Sequence, residues 1–236
     1  MVPPLENIVI EPGPDFRHVD TWIFDLDNTL YRADSDLFAQ IELRMTDYIA
    51  RHLGLTETEA HRLQHTYYRD YGSTLSGLIA CNGVDPEHFL CYVHEIDLSV
   101  LTPDPCLGEA LTRLPGRRYV FTNGCRKHAE RVLERTGLTK SIDDIWDIRT
   151  LGFVPKPQQA AYERIIQVAN FMPSSAAMFE DMARNLMPAH ALGMTTVWIN
   201  NGSPWSHQGP DHPLIARRHI HHEIDDLGEF LQTIRV

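Results

Sequence analysis

The 236-residue chain lacks any long hydrophobic run: nowhere do about 18 consecutive residues stay apolar, so no segment is predicted to span a bilayer as a helix. Basic charge is also scarce. Twenty-one Lys and Arg stand against 32 Asp and Glu, a formal charge of −11, and a nucleic-acid polymer or an anionic membrane needs a basic face that this composition does not supply. Cysteine pairs are absent too. The thiols at Cys81, Cys91, Cys106 and Cys125 form no CxxC, which disfavours a zinc ribbon or a thioredoxin-like site and predicts reduced, mostly buried thiols. Residues 1–20 have no apolar stretch flanked by basic residues, so no signal peptide is expected. With Pro3, Pro4, Pro12 and Pro14 they read as a loosely attached leader on a cytoplasmic protein. His219, His221 and His222 read as an exposed or strand-edge cluster, with only Glu223 nearby to complete a metal site.

What is present is an alternation of strand and helix patterns. Thr21–Phe24 is a short apolar run ending in carboxylates and predicts a buried strand. From about Asp34 to Cys106 the spacing turns helical: Leu37, Ile41, Tyr48 and Ile49 share a face, Thr56 and Glu59 form a capping box, and Asp85-Pro86 opens another helix. Beyond Pro105, strands are predicted at 118–121, 145–149, 176–179, 195–199 and 220–224. Helices are predicted at 107–114, 128–135, 159–169, 185–192 and 227–234. Such alternation predicts an α/β fold with a doubly wound, Rossmann-like parallel sheet. Asp25 and Thr122, at the first two strand ends, are 97 residues apart, whereas a βαβ unit needs only about 30. The excess predicts a helical cap at 33–106 inserted after the first strand into a core made of 1–32 and 107–236.

Four strand ends carry polar residues where an open α/β sheet binds its ligands. In Asp25-Leu26-Asp27 the acids are two apart, so an extended backbone points both the same way, and paired carboxylates invite a hard cation such as Mg²⁺. Thr122-Asn123-Gly124 offers a hydroxyl, an amide and open backbone at a helix start. Lys156 sits between Pro155 and Pro157, and Glu180-Asp181 is a second acidic pair. Each fragment alone also fits an ordinary turn.

In this order, Asp25/Asp27/Thr29, Thr122, Lys156 and Glu180/Asp181 resemble the four motifs of the haloacid dehalogenase-like superfamily. The resemblance implies a phosphatase working through an aspartyl phosphate. Asp25 would be the nucleophile and Asp27 the general acid and base. Mg²⁺ would be held by the Asp25 carboxylate, the Asp27 carbonyl and Asp181, with Glu180 and Asn185 just behind. Thr122, Asn123 and Lys156 would hold the phosphoryl oxygens. Dehalogenases that attack carbon lack the second acid of the first motif, and Asp27 is present. A phosphomutase shares the motif and stays open.

The cap strings Tyr71-Gly72-Ser73-Thr74-Leu75-Ser76-Gly77-Leu78 and Tyr92-Val93-His94-Glu95-Ile96-Asp97-Leu98 look like the pyrimidine 5′-nucleotidase subgroup, with Ser73 where a threonine is expected. That implies a nucleoside 5′-monophosphate as substrate, UMP or CMP foremost. Phosphoglycolate, a sugar phosphate or pyridoxal phosphate are the alternatives within the superfamily. A receiver-like phosphate sensor is the alternative of another class, although receivers are about half this length and lack the Asp27 equivalent. Among the cap aromatics most are expected to fill its core. Tyr71, before Gly72 in an expected loop, is the one predicted to reach the substrate, with Thr74 beside it. His128 fits equally a site residue and a polar residue in a first helical turn. The partner is a small phosphorylated metabolite, and monomer and homodimer are equally compatible with the sequence.

Overall fold

In a computed structural model, which describes residues 13–200 and 217–236, the sheet is built where the short apolar runs predict it. Strands β1 (Thr21–Phe24), β2 (Arg117–Phe121), β3 (Asp144–Trp146), β4 (Ala176–Glu180), β5 (Thr195–Ile199) and β6 (His222–Ile224) pair in the order β3-β2-β1-β4-β5-β6, all parallel. β1 and β4 are buried along their whole length, as a parallel sheet covered on both faces requires. Phe24 and Phe179, paired in register, stack at 4.9 Å, and Trp22 and Phe16 continue the aromatic layer. Phe16 is fully buried and its N–H bonds to Arg235 O. Residues 13–20 are therefore anchored to the core through Phe16 and Val19 and are not a loose leader; residues 1–12 lie outside the described set.

Between β1 and β2 run five α-helices, and the first four, α1 (Leu37–Leu53), α2 (Glu57–Tyr71), α3 (Thr74–Asn82) and α4 (Pro86–Val93), make up the insertion. Thr56 and Glu59 form the expected capping box, and Asp85 caps α4 with Pro86 at its first position. α3 begins two residues after Gly72, where the sequence predicts a loop. Ser73 Oγ accepts from Ser76 N and so provides the N-cap that starts it, and Gly77 lets Tyr67 of α2 pack against its backbone, since a Cβ there would fall 2.3 Å from the ring. The remaining helices are α5 (Pro105–Thr112), α6 (Arg126–Thr136), α7 (Gln159–Ala169), α8 (Leu186–Ala191) and α9 (Leu227–Thr233).

Two strands are shorter than their patterns. β3 stops at Trp146 because the Asp147 carboxylate turns the chain, accepting from Arg126 N and Thr150 N. β6 starts only at His222, because His221 turns its ring back onto Thr196. β6 is an edge strand, so the histidine cluster lies at the sheet edge, and no His-based metal cluster is found among the described residues. All four cysteines are free, but only Cys125 is buried. Cys81, Cys91 and Cys106 sit on exposed faces of α3, α4 and α5, contrary to the expectation of mostly buried thiols. Among the described residues no helix is long and apolar enough to cross a membrane.

Candidate active site

The strand order reverses between β1 and β4, and the site is built at their carboxyl ends. Asp25 N bonds to Phe179 O at 2.9 Å, which continues the β1–β4 register by one residue and sets Asp25 beside Glu180. Asn28 then takes a left-handed conformation (φ 61°), tolerable for Asn, and turns the chain so that Leu30 N reaches back to Leu26 O. The turn leaves Asp25 and Asp27 on the cavity wall together.

Lys156 is the electrostatic centre. Its Nζ lies 2.6 Å from Asp25 Oδ1 and 2.7 Å from Glu180 Oε2, and it is only 1% exposed. Burial opposes its charge, but the two carboxylates outweigh that cost and raise its pKa. Asn123 fixes the lysine's backbone with two bonds, Nδ2 to Lys156 O at 3.1 Å and Lys156 N to Oδ1 at 2.8 Å. The Asn123 side chain thus positions Lys156, a role the sequence reading missed. Thr122 Oγ1 accepts from Gly124 N at 2.9 Å and lines the same cavity.

Acids outnumber this cation. Oxygens of Asp25, Glu180 and Asp181 lie within 4.8 Å of one another, all in buried residues. Burial, then repulsion from Glu180, pushes the Asp25 carboxyl up despite Lys156, and burial with Glu180 and Asp25 pushes Asp181 well above the carboxylate range. The buried Asn185 Oδ1 and Thr29 Oγ1 make no hydrogen bond. Buried hard oxygens in excess of positive charge, with a polar atom left over, fit a divalent cation.

Asp27 is held separately. Its Oδ1 accepts from Tyr31 Oη at 2.8 Å and faces His128 Nε2 at 2.9 Å. Burial disfavours its charge, yet His128 and both hydrogen bonds outweigh it and lower its pKa. Burial, reinforced by Asp27, raises the Tyr31 phenol far above its usual value, so it stays a donor. Of His128's two readings, the structure favours a site residue. Tyr31 was missed, although it stands one turn after Asp27; so was His94, which no local pattern marks.

The helical insertion closes the cavity, whose volume is about 150 Å³, with Phe38, Met45, Gln64, His65 and Tyr68. Thr74 lines it, with its hydroxyl donated to Gln64 O at 3.3 Å. Tyr71 does not line it. It is the last residue of α2, 38% exposed, with its ring edge-on to Tyr67 and its hydroxyl meeting Cys81 Sγ at 3.0 Å on the α3 side. Tyr68, one turn earlier on α2, lines the cavity instead, its hydroxyl reaching Met182 Sδ and Arg184 stacking on its ring at 3.9 Å.

Comparisons with known proteins agree with this fold. Over 202 residues the chain is 29% identical to Phosphate metabolism protein 8 of Saccharomyces cerevisiae, covering 78% of the chain but only 62% of that protein's length. In fold it is similar to a predicted phosphoglycolate phosphatase from Haemophilus somnus (TM-score 0.62, 18% identity, 91% of this chain and 97% of that one). It is similar also to the magnesium-bound HAD-hydrolase YfnB from Bacillus subtilis (TM-score 0.58, 17% identity, 92% and 99%). The haloacid dehalogenase-like hydrolase model matches residues 19–193, from the strand before Asp25 to the helix after Asp181, and the chain belongs to that family.

Proposed function

We propose that the protein is a Mg²⁺-dependent phosphatase that transfers a phosphoryl group first to Asp25 and then to water, with pyrimidine nucleoside 5′-monophosphates as its substrates. The observation that carries the reading is the pairing of Asp25 with Lys156 inside a cluster of two further acids. A nucleophilic carboxylate, a phosphate-neutralising lysine and a cation-binding set share one strand-end site.

Asp25, Asp181 and the Asp27 main-chain carbonyl would hold the cation, and Glu180 would tie Lys156 to it. Bound Mg²⁺ would shield the approaching carboxylate from the phosphate dianion and offset charge in the transition state. An Asp25 oxygen bonds to phosphorus as the bond to the ester oxygen breaks, and Asp27 gives that oxygen its proton. Water then attacks phosphorus and surrenders a proton to Asp27, and the bond to Asp25 breaks to restore the carboxylate. Lys156 and Thr122 hold phosphoryl oxygens through both steps.

Support for a nucleoside over a small polar acid comes from the cavity wall. Phe38, Ile41, Met45 and Phe89 give apolar faces to a flat group, while His65 and Gln64, whose Oε1 accepts from Thr46 Oγ1, add polar lining beside them. The likeness to Phosphate metabolism protein 8 supports phosphorus chemistry. Phosphate release from UMP, CMP, purine nucleotides, phosphoglycolate, pyridoxal phosphate and sugar phosphates, with Mg²⁺ and with a chelator, tests it. Pyrimidine nucleotides should turn over fastest and only with the metal. Equal rates across the panel would remove the nucleotide assignment, and undiminished release with chelator would remove the metal.

A further inference from the structure

A buried chain of rings links the helical insertion to Asp27. His128, in the first turn of α6, is fully buried, with Nε2 2.9 Å from Asp27 Oδ1. Both donors to Asp27, His128 and Tyr31, act on Oδ1, and among the described residues no hydrogen bond is made to Oδ2. One oxygen is therefore clamped and the other is left for the reacting centre. Oδ1 takes a hydrogen bond from His128 only through an Nε2 that carries its hydrogen, whether Oδ2 is ionised or bears the proton that Asp27 gives to the leaving oxygen, which fixes how the ring is used.

The ring is itself held from the insertion side. His94, the residue that ends α4, stacks on His128 with centroids 4.4 Å apart and planes 9° from parallel. Its Nδ1 lies 3.2 Å from Cys125 Sγ, at the start of α6. Burial, then the neighbouring His128, pushes the His94 pKa down to about 3, so a neutral ring rests on His128. Gly124 packs close to both rings: a Cβ there would lie at contact distance, 3.4 Å from His94 Nε2 and 3.6 Å from His128 Cδ2. The exit of the insertion is tied to the same helix. Arg131 donates to His94 O at 2.9 Å and to Ile96 O at 3.3 Å, and Arg135 donates to Leu98 O at 3.2 Å and Ser99 O at 3.3 Å. His94 therefore cannot leave its stack without breaking contacts on α6, which carries His128.

We propose that His128 is the positioning residue of the Asp27 acid/base group and that His94, stacked upon it, makes the orientation of that group depend on the seating of the helical insertion. His128 touches neither substrate nor reacting atoms; it acts by holding Oδ1. The inference rests on the phosphatase reading, and its consequence is selective. When the leaving group is poor, protonation by a well-aimed Asp27 decides the rate of the first step. A good leaving group departs without it.

The test is kcat/KM, which reports phosphoryl transfer to the enzyme, on phenyl, 4-nitrophenyl and 2,4-dinitrophenyl phosphate with Mg²⁺. It is measured for the wild type, His128→Phe, His128→Gln, His94→Ala and His94→Phe, each first checked for its fold by circular dichroism. His128→Phe should lose about 10²-fold on phenyl phosphate and less than about fivefold on the dinitrophenyl ester. His128→Gln, whose amide can donate to Oδ1, should recover at least half of the loss on a logarithmic scale. His94→Ala should show the same leaving-group pattern more weakly, and His94→Phe, which keeps a stacking face, less than His94→Ala. An active wild type with equal losses across the three esters in His128→Phe, or no recovery in the folded Gln variant, overturns the positioning role alone. A folded wild type that cleaves none of the esters overturns the phosphatase reading and the inference with it.

Discussion

Lys156 Nζ lies 2.6 Å from Asp25 Oδ1, across 131 residues of sequence, and both groups are buried. An ion pair of this kind does more to define the site than to stabilise the fold, because desolvating two charges offsets much of their attraction. Breaking it from one side is a different matter. Lys156→Met leaves Asp25 and Glu180 with no counter-charge and should destabilise the protein by about 3–5 kcal/mol in urea denaturation at neutral pH. Adding Glu180→Gln should recover part of the loss. A double variant no more stable than the single one would mean that the lysine stabilises through packing alone.

Asn123 reaches the same lysine through its backbone. Asn123→Ala removes two hydrogen bonds to the Lys156 main chain and should lower kcat/KM about tenfold or more, while Lys156 keeps its charge. Asn123→Asp retains the acceptor for Lys156 N and should lose less. Steady-state kinetics on the best substrate of the panel decide it, and wild-type kinetics in the alanine variant would make the clamp irrelevant to function.

The walls of the cavity make a sharper claim, because they contradict the sequence reading. Tyr68→Ala should raise KM about tenfold, and Tyr71→Ala should change it less than about twofold. The reverse order would restore Tyr71 as the substrate contact.

His94 predicts a dependence on acid. Its folded pKa, about 3, lies below the ordinary histidine value of 6.5, so the unfolded chain takes up a proton that the folded one refuses. The stability tied to this group is intact above pH 6.5 and lost as the pH falls from there toward 3. His94→Phe, which cannot protonate, should therefore gain on the wild type by about 2–3 kcal/mol between pH 6.5 and 4.5, measured by urea denaturation at each pH. A difference that stays flat over that range would contradict the buried, neutral ring.

How much of this was legible beforehand follows physical lines. Asp25, Asp27, Thr122, Glu180 and Asp181 could be placed together because each sits at or just past a strand end, where local pattern and sheet topology together fix the position, whereas Lys156 lies ten residues beyond the end of β3 and was marked by its motif alone. Tyr68 was confused with Tyr71 because the end of α2 decides which face points inward, and the residues around Gly72 read as a loop until Ser73 proved to cap α3. His94 stood in a quoted cap string but with no sign of a role, since its relation to His128 exists only once α4 and α6 are packed. Phe16 was missed for a related reason: a proline-rich approach hides a side chain that stacks on Trp22.

The central claim is that Asp25 carries the phosphoryl group between substrate and water. Acid-quenched turnover followed by peptide mass spectrometry addresses it directly, using Asp27→Asn to slow the second step and Asp25→Asn as the control. The account predicts one phosphoryl adduct, on the peptide containing Asp25 and on that residue, and neither adduct nor turnover in Asp25→Asn. Continued phosphate release by Asp25→Asn, or an adduct mapped to any other residue, would contradict it.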